Sequence, residues 1–333
     1  MKGVARGCFV LFLLLCVGMR WQSGKHSPEE KTVFVSQFVE HPALNRTVQG
    51  ILDGLRERGF VPGVNLKWRL ESAQGNVALA SQIAHKFAQR QPDIVVGVGT
   101  ISAQTLLKYV FSHQLPLIFT SVTDPVGAEL VTNLESSTEQ LSGISNFVPL
   151  EPQIALFRQI QPNLKRLGIL YNPGEINSRY IIEQLEELCS RLNITLVKQV
   201  VTKMADLAQA TLSLSQRVDA LFVSNDNTVL GGLQSVVNSC RRMGIPLYVS
   251  DTDAVVLGCV AALGPNQYQI GVQTAQMVTR VLEGEELTQL PVELPKDREL
   301  HLNLEAARLA GLSIPRELLS AAAQVIGERV EEQ

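Results

Sequence analysis

Aromatic residues make up only 5% of this 333-residue chain, its lysines and arginines are scattered, and its net charge is -3. That leaves neither a basic field to draw in nucleic acid nor a stacking platform for single strands. Cysteine is scarce: Cys8, Cys16, Cys189, Cys240 and Cys259, with no Cys-x-x-Cys pair. Cys189 and Cys240 fall in apolar-periodic helical segments and read as buried free thiols. His26, His41, His85, His113 and His301 lie far apart, without ligand spacing, so no metal and no cofactor is assigned. No Walker loop and no Gly-x-Ser-x-Gly elbow occurs. Gly97-Val98-Gly99 has two glycines of a dinucleotide fingerprint but lacks the third, and it sits on the third strand rather than the first. The chain also lacks the ~20-residue apolar run of a membrane-spanning helix.

The remaining composition is ordinary for a globular protein, with 45% hydrophobic and 18% charged residues, and the length suffices for two cores. The N-terminus differs from the rest. Met1 to Arg6 carries two positive charges, and the apolar stretch Cys8 to Val17 follows. This pattern fits a secretory signal, the alternative being a buried N-terminal helix. Leu13-Leu14-Leu15-Cys16 loosely resembles a lipoprotein signal, although Leu15 stands where a small residue normally precedes the acylated cysteine. Residues 1–27 are therefore expected to be signal or tether, outside the fold, and the protein to be exported.

From residue 32 onward strands and helices alternate. Strands are expected at 32–39, 65–72, 92–100, 115–122, 165–172, 195–201, 219–225, 245–251 and 259–264, the second of them alternating and most of the others apolar. Amphipathic helices are expected at 44–59, 76–90, 101–111, 151–162, 177–193, 204–217, 229–244 and 268–284. Asn76 is placed to cap the second helix, and Gly59 and Gly284 to end the first and last of these. Residues 290–300 read as Pro-punctuated edge strands, and 303–312 and 315–326 as short helices. Near-continuous apolar strands alternating with helices predict parallel sheets covered on both faces. The strands are too many for one sheet, so the fold class is α/β with two doubly wound lobes joined by a multi-strand hinge. Residues 28–145 plus 260–288 are expected in the first lobe and 146–259 plus 289–326 in the second. Crossings are expected near 142–150, 251–265 and 288–292, and 327–333 is expected to be a flexible tail.

In doubly wound sheets ligands bind at the carboxyl ends of the strands. Polar residues gather there. Ser36-Gln37 and Glu40-His41-Pro42 leave the first strand, Gly99-Thr100-Ile101-Ser102-Ala103 the third, and Ser121-Val122-Thr123-Asp124 the fourth. The second half gives Tyr171-Asn172 through Asn177-Ser178, then Ser224-Asn225-Asp226-Asn227-Thr228, and Ser250-Asp251. Each run has a bland reading as helix cap or turn. Together they suggest a polar cleft between the lobes. Thr100, Ser102 and the backbone N–H groups behind them suit a carboxylate, since a helix N-terminus is partly positive. Asp124, Asp226 and Asp251 suit an ammonium group. Both groups on one ligand describe an amino acid. Phe38, Phe147, Tyr171 and Tyr268 are candidates to stack on an aromatic side chain, with core packing or surface decoration as the alternative for each.

The segments "QFVEHPALN", "IFTSVTDPVGAELV", "GILYNPGEINS", "VSNDNTV" and "GPNQYQIGVQTAQMVTRVLEGEE" resemble the ABC-transporter substrate-binding proteins of the tryptophan/tyrosine-binding kind, over roughly Val33 to Leu312. The resemblance implies a type I periplasmic-binding fold and a non-enzymatic, monomeric solute receptor. Such a receptor closes on a small ligand and hands it to a permease driven by a separate ATPase. It puts Thr123, Asp124, Asn172, Asn177, Ser178, Asp226, Asn227, Thr228 and Asp251 on pocket positions. Gln37, Thr100, Ser102, Ala103, Asn146, Tyr171 and Tyr268 complete the candidate ligand-binding set. Where family members often carry Thr-Pro-Ala-Ala, this chain has Thr100-Ile101-Ser102-Ala103. Two other classes remain: a ligand-sensing module of a signalling system, and an α/β enzyme acting in the cleft. No helix-turn-helix precedes the first strand, and no convincing acid–base pair appears.

Overall fold

The structure, a computed structural model, describes residues 30–135, 138 and 140–327. The expected signal segment lies outside the described residues, as do 328–333 of the expected tail. Within residues 31–327 the strands form two separate sheets.

The first sheet has the order β2 (Leu66–Ser72), β1 (Lys31–Gln37), β3 (Ile94–Val98), β4 (Leu117–Val122), β5 (Leu141–Ser145), with every pair parallel. The strands β3, β4 and β5 are buried along their whole length, as parallel strands are when helices cover both faces of the sheet. The helices α1 (Pro42–Glu57), α2 (Val77–Arg90) and α3 (Thr100–His113) supply that cover. Pro42 starts α1, where its missing N–H costs nothing, and the Asn76 side chain caps α2 by accepting from the N–H groups of Ala78 and Leu79.

The second sheet has seven strands. Its order is β12 (Gln324–Ile326), β11 (Arg298–Asn303), β10 (Ala261–Pro265), β9 (Leu247–Val249), β8 (Ala220–Val223), β6 (Arg166–Tyr171), β7 (Thr195–Val200). Only the β10–β11 pair is antiparallel. Two apolar clusters lie against it. One is built largely from α4 (Leu150–Ile160) and α5 (Ile176–Arg191), the other from α6 (Leu207–Ser215), α7 (Asn227–Gly231) and α8 (Leu233–Met243).

After β10 the chain returns to the first lobe. The helix α9 (Gln267–Leu282) packs on α1 so closely that a Cβ on Gly271 would sit 2.1 Å from the Thr47 carbonyl oxygen. Residues 290–293 then run beside β5, where Ser145 N donates to Glu293 O at 2.9 Å and Glu293 N to Gly143 O at 3.0 Å. The chain thus passes between lobes at 146–149, 265–267 and 293–298.

Several expectations need correction. Residues 261–265 pair with β9 and belong to the second lobe, not the first, because the apolar strand finds its partner there. Residues 289–293 lie with the first lobe. β5 was expected only as a crossing; its short, Gly- and Ser-containing sequence LSGIS carries little strand signal. Edge strands were expected over 290–300, but β11 is internal, flanked by β10 and β12. The helix expected at 315–326 ends at Ala321 as α11 (Arg316–Ala321), and 324–326 join the sheet. The segment expected as one helix at 229–244 is α7 and α8, parted at Gly232. The remaining helix, α10 (Leu304–Leu309), is capped by the Asn303 side chain. Cys189, Cys240 and Cys259 are buried free thiols. No described helix is long and apolar enough to cross a membrane.

Candidate functional site

Each sheet reverses its winding once, between β1 and β3 in the first lobe and between β6 and β8 in the second. The segments leaving these strands splay apart there and leave a crevice. The two crevices face each other across one pocket. The first lobe lines it with His41, Ala43 and Leu44 after β1, Thr100 after β3, and Ser121 and Thr123 at the end of β4. The second lobe contributes Asn177 after β6, and Asn225, Asn227 and Leu230 after β8. Asn146 and Gln267 join from two of the three crossings. The cavity is about 20 Å³, room for about one water. The lobes therefore meet closely. Asn225 Nδ2 donates across the gap to Thr123 Oγ1 at 3.4 Å, which in turn donates to Asn146 Oδ1 at 3.3 Å.

Local geometry aims these groups. Gly99 caps α3 at φ +88°, a conformation suited to glycine, and no side chain caps this helix. The first-turn N–H groups beside Thr100 thus keep no side-chain partner and present a partly positive end to the pocket. Ser121 sits at φ +54° within a register shift of β4 against β5. This bulge turns a strand residue toward the pocket. The Ser121 and Thr47 hydroxyls are 3.1 Å apart, and Thr47 Oγ1 also donates to Gln267 Oε1 at 3.3 Å.

No lining side chain is charged, yet carboxylates stand close behind. Glu175, 2% exposed, accepts from the backbone N–H groups of Asn227 and Thr228 and from the Thr228 hydroxyl, at 2.7–2.9 Å. Asp226 accepts from Asn172 N, Ser178 Oγ and Val229 N at 2.6–2.9 Å. Burial, and next the neighbouring Glu175, push the Asp226 carboxyl up from its ordinary range. His41 is buried with both ring nitrogens short of a hydrogen-bond partner. Burial holds it down to about 4, opposed by a looser contact with Asn227.

The match to known families is direct. The model for "ABC transporter substrate binding protein" matches residues 32–326. This chain belongs to that family. A conserved domain protein from Vibrio cholerae is 39% identical, with TM-score 0.86, over 89% of this chain and 100% of that one. A Streptococcus pneumoniae ABC domain in complex with L-Trp is 31% identical, with TM-score 0.84, over 90% of this chain and 100% of that one. A tyrosine-binding protein of Clostridioides difficile is 29% identical over 83% of this chain and 80% of its own length. The two α/β lobes are those of the periplasmic-binding proteins.

Of the expected site residues, this substrate-binding protein brings Thr100, Thr123, Asn146, Asn177 and Asn227 together around the pocket. The others do not line it. Gln37 ties down the loop after β1 through Val39 O and Asn45 Oδ1. Ser102 accepts from Ser36 Oγ beneath the sheet, and Ala103 packs on Gly97. Asp124 accepts from Gly127 N in its own turn. Asn172 donates to Asp226 and Thr228, so Asn172, Ser178, Asp226 and Thr228 spend their polar atoms within the second lobe. Asp251 caps the turn at Asp253. Tyr171 packs in the second core, as does Phe147 against Tyr180, while Phe38 is in the first core and Tyr268 lies beneath Arg46. None of the four candidate stacking rings lines the pocket.

Sequence reasoning did not select His41, Ser121 and Asn225, though it placed all three at strand ends. Ala43, Leu44, Leu230 and Gln267 carry no polar signature of a ligand wall, or lie inside a helix, and spacing alone does not mark them. Among the described residues no cluster of three or more His, Cys, Asp or Glu could hold a metal.

Proposed function

We propose that this protein is the extracytoplasmic receptor of an ABC importer for an amino acid, with aromatic L-amino acids as the first candidates. One observation carries the reading. The uncapped N-terminus of α3 in one lobe faces a buried, unpartnered carbonyl, Asn177 Oδ1, in the other, across a pocket with no charged wall. The first suits a carboxylate and the second an ammonium group. Relatives of similar length that are named for tyrosine or seen with L-Trp support the same class. Ala43, Leu44 and Leu230 supply the apolar part of the wall against which a side chain would pack.

A ligand of that size does not fit 20 Å³, so the lobes must part to admit it and then close. The family implies a permease in the membrane as the recipient. A thermal-shift screen of the chain lacking residues 1–27 against amino acids, sugars, nucleosides and short peptides tests the reading. Ligand at about 100 times its dissociation constant adds about 2.7 kcal/mol of stability, a resolvable rise in melting temperature. Rises confined to amino acids are the expected result. A rise with sugars or nucleosides alone would replace the amino-acid class.

A further inference from the structure

Glu175 stands at the N-cap of α5, yet its side chain caps none of that helix's backbone N–H groups. Its carboxylate reaches across to the segment after β8. Part of that reach is ordinary capping: the Asn227 and Thr228 N–H groups are orphan donors at the start of α7. Capping does not account for the rest. The same carboxylate also accepts from the side-chain amide of Asn227 at 2.8 Å and from that of Asn177 at 3.3 Å. Asn177 Nδ2 donates further to the Asn225 carbonyl at 2.6 Å.

A carboxylate and a carbonyl only accept, so the NH₂ end of each asparagine is fixed toward them and the amide flips are settled. Both Oδ1 atoms are thereby directed away from Glu175. Asn177 is 2% exposed, lines the pocket, and its Oδ1 has no hydrogen-bond partner in the protein. A buried acceptor left unpaired destabilises the empty pocket, and a ligand donor would relieve that. The Asn227 side chain lies beside the His41 ring, whose nitrogens have no hydrogen-bond partner in the protein.

We infer that Glu175 is the positioning residue that makes the second lobe's wall an acceptor surface, selecting a ligand that carries an ammonium group at Asn177 Oδ1. The inference rests on the amino-acid reading above and sharpens it: the amine is recognised by a neutral amide oxygen, with the Glu175 carboxylate behind that amide. Such an arrangement suits a receptor that must release its ligand, since no direct ion pair has to be broken.

The test is the ratio of affinities for an L-amino acid and its des-amino analogue, L-tryptophan against 3-indolepropionate and L-tyrosine against 3-(4-hydroxyphenyl)propionate. Calorimetry would be run on wild type, Glu175→Gln and Asn177→Ala. Wild type should prefer the amine by about tenfold or more. Both variants should lose most of that preference through weaker binding of the amino acid, while the des-amino analogue binds within about threefold of wild type. Asn177→Ala leaves Glu175 paired with Asn227 and Thr228, so it serves if Glu175→Gln melts too low to titrate. Equal losses for both ligands, or an unchanged ratio, would overturn the inference alone. Wild type that binds no amine-bearing ligand overturns the amino-acid reading, and this inference with it.

Discussion

The Asp251 carboxyl is 2% exposed, and its Oδ2 lacks a hydrogen-bond partner at normal distance. Burial first, and the nearby Asp253 second, push it up to about 8 from an ordinary 3.8. The unfolded chain ionises from about 3.8 upward, whereas the folded chain resists until about 8. The stability penalty therefore opens above pH 4 and is complete above pH 8. Asp251→Asn removes the charge and keeps the Oδ1 acceptor for Asp253 N. Its ligand-free melting temperature should match wild type near pH 4 and exceed it increasingly toward pH 8, by the equivalent of several kcal/mol. A gain independent of pH would show that ionisation is not its source. His41 acts in the opposite window. Held down to about 4, it stays neutral while the unfolded histidine protonates, so its contribution to stability is lost as pH falls from about 6.5 toward 4. Legibility in the sequence divides at this scale. The strand-end runs pointed at Thr100, Thr123, Asn177 and Asn227, because polar residues at the carboxyl ends of parallel strands have few places to go. They could not distinguish Asn227 from its neighbours Asp226 and Thr228. All three are polar, and only tertiary partners decide which atoms are already taken: Asn172 and Ser178 for Asp226, Glu175 for Asn227 and Thr228.

At the scale of elements, the contact of α1 with α9 brings a helix from after the second crossing onto the first helix of the chain. Gly50 and Gly271 make it, and a Cβ on Gly50 would lie 2.1 Å from the Tyr268 carbonyl. The opposing atoms are backbone and cannot rotate away. Gly271→Ala should therefore destabilise the protein by about 2 kcal/mol or more, despite the better helix propensity of alanine. Unchanged thermal melting would mean that the two helices are not packed as described. Helical period alone placed both α1 and α9, and near-continuous apolar runs placed β3, β4, β6 and β8. Two elements escaped and a third was expected in the wrong lobe, each for a physical reason. β5 has too few β-branched residues to announce itself. β10 looks the same whichever sheet it joins. β12 follows α11 after only two residues, and its pairing with β11 is set by tertiary contact rather than by local pattern.

For the whole molecule, three crossings hold two lobes that touch across a polar pocket. Closing them excludes water and gathers Thr100, Asn146, Asn177 and Gln267, which come from four separate segments of the chain. The family, the paired switch points and the opposed polar ends of the cavity converge on one claim: a single amino-acid ligand is held between the lobes. Titration calorimetry of the chain lacking residues 1–27 with L-tryptophan and L-tyrosine tests it most directly. The account predicts saturable binding of one ligand per chain to at least one of them, with a negative heat-capacity change from burial of apolar surface. Absence of binding to either, by protein that melts cooperatively and responds to a ligand of another class, would contradict it.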